Sequence, residues 1–134
     1  MMITRPDIST REDIENLLRL FYEKVKKDDV IGYIFNDVAK VDWAHHIPII
    51  TNFWESILLG HPVYSKNAME VHYQLNRQEP LKQEHFERWL KLFTETVDEL
   101  FEGKIASLAK TRAHSIGGLM QFKMGIINQS PGKP

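Results

Sequence analysis

Four long segments of the chain repeat apolar residues with the spacing of an amphipathic helix. They cover about 10–27, 42–60, 81–101 and 104–122. We find no stretch that alternates apolar and polar residues as a half-buried strand does, and no Asn-Gly or Asp-Gly hairpin turn. The pattern therefore predicts an all-α fold.

Helix-capping residues mark the predicted ends of these segments. Two overlapping capping boxes, 9–12 and 10–13, can start the first helix. Asp42 is suited to cap the second helix at its start, and Gly60 is suited to end it in the left-handed conformation. The pair Gly117–Gly118 lies inside the fourth segment, where each glycine costs about 1 kcal/mol of helix propensity. We expect these small residues to let a neighbouring helix or a ligand approach closely.

Shorter elements connect the long ones. Residues 30–35 form an apolar corner, and residues 66–75 are predicted to form one short helix. The polar end of the chain, 128–134, contains two prolines and is predicted to be disordered. We therefore expect a single domain over 1–127.

Composition excludes several classes of function. Lys and Arg number 17 against 18 Asp and Glu, a balance that does not favour a nucleic-acid or anionic-membrane partner. The chain has no cysteine, which excludes disulfides, thiolate metal sites and cysteine nucleophiles. No apolar run approaches roughly 18 residues and the N-terminus has no signal-peptide pattern, so we expect a cytoplasmic protein without a membrane span.

Polar side chains on the apolar stripes are more informative than the stripes themselves. Tyr22, His46 and Trp89 each fall on the inward face of a different predicted helix. A buried hydroxyl, imidazole or indole must find a partner or cost a few kcal/mol. Taken alone, each is better explained as an ordinary core residue than as part of a site. His72 lies on a short apolar segment and is a candidate axial ligand of a haem iron.

The other histidines carry weaker signals. His61 follows the glycine that ends the second helix, which predicts a surface position. His85 shares a helical turn with Glu84 and Glu87, which predicts a solvated face. The sequence around His114 does not decide between the two.

Other chemistries lack their motifs. The sequence contains no HExxH zinc motif, no Glu-x-x-His di-iron pattern, no glycine-rich phosphate loop and no Gly-x-Ser-x-Gly nucleophile turn. What remains is a helical domain with histidines and aromatics facing its interior, which is compatible with a flat apolar cofactor.

Several short motifs, in order, resemble the truncated haemoglobins, and most of all their third group, whose bacterial members have a distal Tyr, His and Trp. The motifs are FYEKV (21–25), IFN (34–36), DW (42–43) with His46, NFW (52–54), LLG (58–60), His72 and FERWLKLF (86–93). The resemblance spans roughly 10–125. The Gly-Gly pairs usual in the first two groups are absent near the second helix and before the proximal one, which also favours the third group.

The resemblance implies a globin-like, two-over-two helical sandwich around haem b. By position, His72 is then the proximal iron ligand, Tyr22 the distal hydroxyl, His46 the distal gate, Trp89 the distal indole and Phe35 the aromatic wedge against the haem. The other implied pocket residues are Ile50, Phe53, Trp54 and Phe86.

One residue departs from the family pattern. Pro48 lies two residues after His46, where proline removes a backbone donor and clashes with the preceding turn. We therefore expect the second helix to kink, or to begin later than Asp42, which would change the direction of His46.

Three functions follow as hypotheses. The first is reversible binding or transport of O2, with CO and NO as further ligands, stabilised by Tyr22 and Trp89. The second is a haem enzyme for NO dioxygenation or peroxide reduction, which needs an external reductase because the chain has no flavin or nicotinamide domain. The third is a cofactor-free helical interaction domain.

Overall fold

Helices make up nearly all the regular structure of the chain in a computed structural model that describes residues 4–62 and 75–129. The long helices are α1 (Arg11–Lys27), α2 (Trp43–Leu59), α3 (Gln83–Leu100) and α4 (Lys104–Gln129). A π-helical turn, Ile34–Val38, lies between α1 and α2. The described residues contain no strand, so the predicted all-α class is confirmed.

The observed helix ends follow the capping signals. Thr10 caps α1 by accepting from the Asp13 N–H, and the Asp13 carboxylate accepts in return from the Thr10 N–H. The second of the two overlapping boxes is therefore the one that forms. Asp42 precedes α2 without a side-chain cap bond, and Gly60 ends it in the left-handed region at φ 74°. Helix α4 continues past the predicted end at Phe122 to Gln129, so the first two residues of the predicted tail are helical, and the rest of that tail, from 130 onward, lies outside the described residues.

The long helices pack as two pairs, α1 against α2 and α3 against α4, with α1 also packed on α3. Aromatic rings join the pairs in the core. Phe21 of α1 meets Phe93 of α3 edge-on, with ring centroids 5.2 Å apart, and both rings are fully buried. Trp54 of α2 stacks on the same Phe93 ring at 5.0 Å. These contacts give the two-over-two arrangement that the resemblance implied.

Helix α2 passes through its proline without interruption. It begins at Trp43 and contains Pro48 in its second turn. Proline removes the donor to the Ala44 carbonyl, and because Ala44 is exposed, water can satisfy that group. The later start that we considered from the sequence is therefore wrong.

The start of α4 is fixed by a residue from the other end of the chain. The Asp7 carboxylate accepts from the backbone N–H groups of Ile105 and Ala106, at 3.0 and 2.8 Å. Gly103 precedes the helix with φ 134°, and a Cβ there would lie 2.6 Å from the Asp7 Cγ. Only glycine allows this close approach.

The predictions of a short connecting helix and of no membrane span can be compared with the described residues only. Most of the short helix predicted over 66–75, and His72 with it, lies outside them. In the described part of the chain, no helix is both long and apolar enough to span a bilayer.

Candidate functional site

A cavity of about 210 Å³ opens between the helix pairs and is lined mainly by apolar side chains. Native cores tolerate few voids larger than a water molecule, so a cavity of this size indicates a binding site rather than a packing defect. All predicted site residues in the described part of the chain line it, namely Tyr22, Phe35, His46, Ile50, Phe53, Trp54, Phe86 and Trp89. The ninth, His72, lies outside the described residues.

Tyr22 and Trp89 meet at one end of the cavity. Tyr22 is 6% exposed, and its hydroxyl hydrogen-bonds the Trp89 side chain. An indole N–H can only donate, so the phenol oxygen accepts and its own proton is not used in this bond. Burial raises the pKa of Tyr22 well above its ordinary value, while the bond with Trp89 lowers it. The hydroxyl is therefore protonated at neutral pH and able to donate.

His46 lies beside this pair. Its ring meets the Tyr22 ring edge-on at 5.9 Å and the Trp43 ring edge-on at 5.6 Å, and it lines the cavity. The preceding His45 is exposed, as the helical period predicts. Despite Pro48, His46 therefore faces inward, and the cavity end carries a hydroxyl, an indole and an imidazole from three helices.

Two further aromatic rings, Phe35 and Trp43, pack around Tyr22. The Phe35 ring lies 5.9 Å from the Tyr22 ring and stacks on Trp43 at 6.0 Å. Trp43 was not among the predicted site residues, although it belongs to the DW motif. It also packs on Tyr22 at 4.8 Å and carries the Lys26 ammonium 5.5 Å from its ring centre. Its spacing of three residues from His46 places it on the same helix face, and this is the signal in the sequence that could have identified it.

His85 is not on a solvated face, and that prediction is wrong. It is 8% exposed and lines the cavity. Its Nδ1 accepts from the Lys82 N–H at 3.0 Å, and its Nε2 lies 3.4 Å from the Tyr33 hydroxyl. Because both ring nitrogens have protein partners, His85 is not positioned to bind a metal.

His61 was predicted to lie at the surface. It is exposed, and its ring contacts the Glu55 carboxylate at 2.7 Å.

The remaining walls fit a flat apolar group. Ile50, Phe53 and Phe86 are partly buried and present hydrocarbon to the cavity. Gly117 of α4 is also part of the lining, and a Cβ there would extend to 3.9 Å from the Trp89 ring. The missing side chain leaves room at the wall, as predicted from the sequence, but only for Gly117, because Gly118 is exposed and an added Cβ there has no atom within 4 Å. Apolar walls with a few convergent polar groups are the ordinary composition of a cofactor pocket, and they suit a porphyrin.

Comparisons with known proteins agree with this architecture. Residues 7–127 match the family described as bacterial-like globin. A group 3 truncated haemoglobin from Campylobacter jejuni is 36% identical over 114 residues, which cover 83% of this chain and 87% of the relative. The crystal structure of group III truncated haemoglobin from the same species matches with a TM-score of 0.79 and 33% identity, over 90% of this chain and 95% of that one.

The chain therefore belongs to the bacterial-like globin family. Within that family it is a truncated haemoglobin most like group III, which confirms the resemblance drawn from the sequence. Membership of the globin family implies that the protein binds haem and small diatomic gases.

Proposed function

We propose that haem b binds in the described cavity, that His72 is the residue that would ligate its iron, and that the protein reversibly binds O2, CO or NO. The observation that supports this most strongly is the composition of the cavity. It is apolar along its walls and polar at one end, where Tyr22, His46 and Trp89 converge.

Haem would supply an iron that binds diatomic gases reversibly, and the partial negative charge that O2 would gain there could be stabilised by a nearby donor. Side chains at the polar end of the cavity would then set the rate of O2 dissociation. The Tyr22 O–H is a protonated donor at the polar end, and the Trp89 indole holds its oxygen. A donor in a site of low dielectric is stronger than in water and stabilises the negative ligand by about 1 to 2 kcal/mol. This corresponds to roughly a ten-fold slower dissociation of O2.

His46 is proposed as the distal gate. Its ring packs edge-on against Tyr22 and Trp43 and is only partly buried. A partly exposed imidazole at the cavity wall can turn outward without unpacking the core. His46 therefore controls access to the polar end.

An enzyme acting on NO or peroxide is the second candidate. The neighbouring Tyr22 hydroxyl and His46 imidazole favour it, since both could interact with an oxygen species bound at the polar end. Turnover would need electrons from a separate reductase. The rate at which the oxygenated protein reacts with NO distinguishes this candidate from simple binding.

Absorption spectra of the purified protein test the proposal. We expect a Soret band in the ferric and ferrous forms, and a reversible shift of that band when the ferrous form meets O2 or CO. A protein that stays colourless and takes up no added haemin would contradict the proposal and leave a helical interaction domain as the better interpretation.

A further inference from the structure

The strongest feature not used by the proposed function is the polar cluster around His85 on the cavity wall. His85 stands in the first turn of α3, directly before Phe86 and four residues before Trp89. Both of those neighbours line the cavity. The first turns of α3 therefore form part of the cavity wall, and His85 lies within them.

The hydrogen bonds of this cluster fix the tautomer of His85. The Lys82 N–H donates to Nδ1 at 3.0 Å, so Nδ1 carries no proton. In the neutral ring the proton is then on Nε2, which faces the Tyr33 oxygen at 3.4 Å. The Tyr33 hydroxyl in turn donates to the Glu79 carboxylate at 2.8 Å. A directed chain thus extends from the cavity wall to Tyr33, which is 38% exposed.

The bond from Lys82 has a structural role. His85 is the third residue of α3, and its side chain accepts from the N–H of the residue that precedes the helix. This is the position at which Glu or Gln completes a capping box. A second proton on the ring can only go to Nδ1, and it converts that acceptor into a donor. The Lys82 N–H then loses its partner, and a positive charge stands at the positive end of the helix dipole.

We propose that His85 is a proton-sensitive positioning residue, whose protonation releases the first turn of α3 and so moves Phe86 on the cavity wall. This inference depends on the cavity wall alone and holds whether or not haem is the cofactor. It makes the position of Phe86 on the cavity wall dependent on pH.

The charges around His85 set the pH at which this happens. Burial lowers the pKa of His85, Glu84 and Glu79 raise it, and Lys82 lowers it, with a net shift below the ordinary value. The unfolded chain therefore binds this proton at a higher pH than the folded one. Stability contributed by neutral His85 begins to fall as the pH drops through about 6.5, and the whole loss is reached only below the lowered folded pKa.

NMR titration of the full-length protein tests the proposal, with any haem present held as its diamagnetic carbon monoxide complex. The ring signals of His85 and the amide proton of Lys82 are followed from pH 7.5 to 5 (about the range in which histidine titrates). We expect both to change with one shared midpoint, below the ordinary histidine pKa. On the acid side, exchange of the Lys82 amide relative to its intrinsic rate at the same pH should be about ten-fold faster, as the loss of one hydrogen bond predicts.

Two variants separate this response from general acid effects. His85→Gln keeps a neutral acceptor for the Lys82 N–H, so its Lys82 amide and Phe86 ring signals should not respond to pH. His45→Gln changes an exposed histidine, so the His85 ring and Lys82 amide signals of this variant should respond to pH as they do in the parent. A Lys82 amide that ignores the protonation of His85 in the parent protein would overturn the proposal, and so would a response that survives in His85→Gln.

Discussion

At the scale of single residues, the buried Tyr22 hydroxyl carries most of the proposed ligand chemistry. It is a protonated donor next to Trp89 and His46, at the polar end of an otherwise apolar cavity. Removing one atom from this side chain leaves the packing of its ring against Phe21 and Trp43 in place. Tyr22→Phe therefore removes the hydroxyl donor and keeps the ring, and it also takes away the oxygen to which the Trp89 N–H donates.

We expect Tyr22→Phe to raise the O2 dissociation rate roughly ten-fold, because one donor to a negative ligand is lost. Dissociation of CO, which carries little charge, should change much less and serves as the internal control. Stopped-flow replacement of O2 by CO measures the first rate, and replacement of CO by NO measures the second. Equal effects on both gases would mean that Tyr22 acts through pocket volume, not through its hydroxyl.

The glycine pair on α4 offers a second comparison between single residues. Gly118 is exposed and a Cβ there would point into open space, whereas Gly117 faces the cavity. Alanine at either position should stabilise the helix by about 1 kcal/mol in the haem-free protein. Only Gly117→Ala adds a methyl group to the pocket wall, so only this variant should lose haem faster. Thermal unfolding and transfer of haem to apomyoglobin measure the two effects, and equal haem loss in both variants would contradict the assignment of this wall.

At the scale of helices, local signals predicted most of what the structure contains. Apolar periodicity gave the four long helices, and the residues at Thr10 and Gly60 gave correct ends because a cap depends on neighbours within one turn. His85 was misjudged because its burial depends on Tyr33, 52 positions away along the chain. Its acidic neighbours Glu84 and Glu87 are exposed, but His85 between them is buried.

The Asp7 cap is another contact that local pattern could not predict, and it makes a prediction about stability. Burial opposes ionisation, but the backbone donors Ile105, Ala106 and Ile8 hold the pKa of Asp7 below its ordinary value. Asp7→Ala should therefore lower the free energy of unfolding by about 1 to 2 kcal/mol at neutral pH. Urea unfolding, with the exposed Asp37→Ala as a matched control, measures this loss.

The pH dependence of the same pair of proteins follows from the sign of the shift. Because the folded pKa of Asp7 is lowered, its contribution is complete above the unfolded value near 3.9 and is lost as the pH falls through the folded value. The difference between the parent and Asp7→Ala should therefore shrink below about pH 4. A difference that stays constant down to pH 2 would show that charge on Asp7 has no part in the cap.

At the scale of the whole molecule, two helix pairs leave a cavity that their aromatic contacts do not fill. Phe21, Trp54 and Phe93 form a continuous core on one side of it, and Tyr22 with His46 forms the polar end. The sequence predicted these cavity residues through their order and spacing along the chain, which the family fold brings together. It predicted neither Trp43 nor the His85 cluster, because their contacts involve residues distant in sequence, Tyr22 for Trp43 and Tyr33 for His85.

The central claim is that His72 anchors a haem in this cavity, and replacing its imidazole tests the claim most directly. The ferrous spectrum of His72→Gly, reconstituted with haemin and reduced, should differ from that of the parent, and added free imidazole should restore it by occupying the emptied position. His45→Gly, the exposed control, should keep the parent spectrum without imidazole. A His72→Gly protein with an unchanged ferrous spectrum and no response to imidazole would contradict the account.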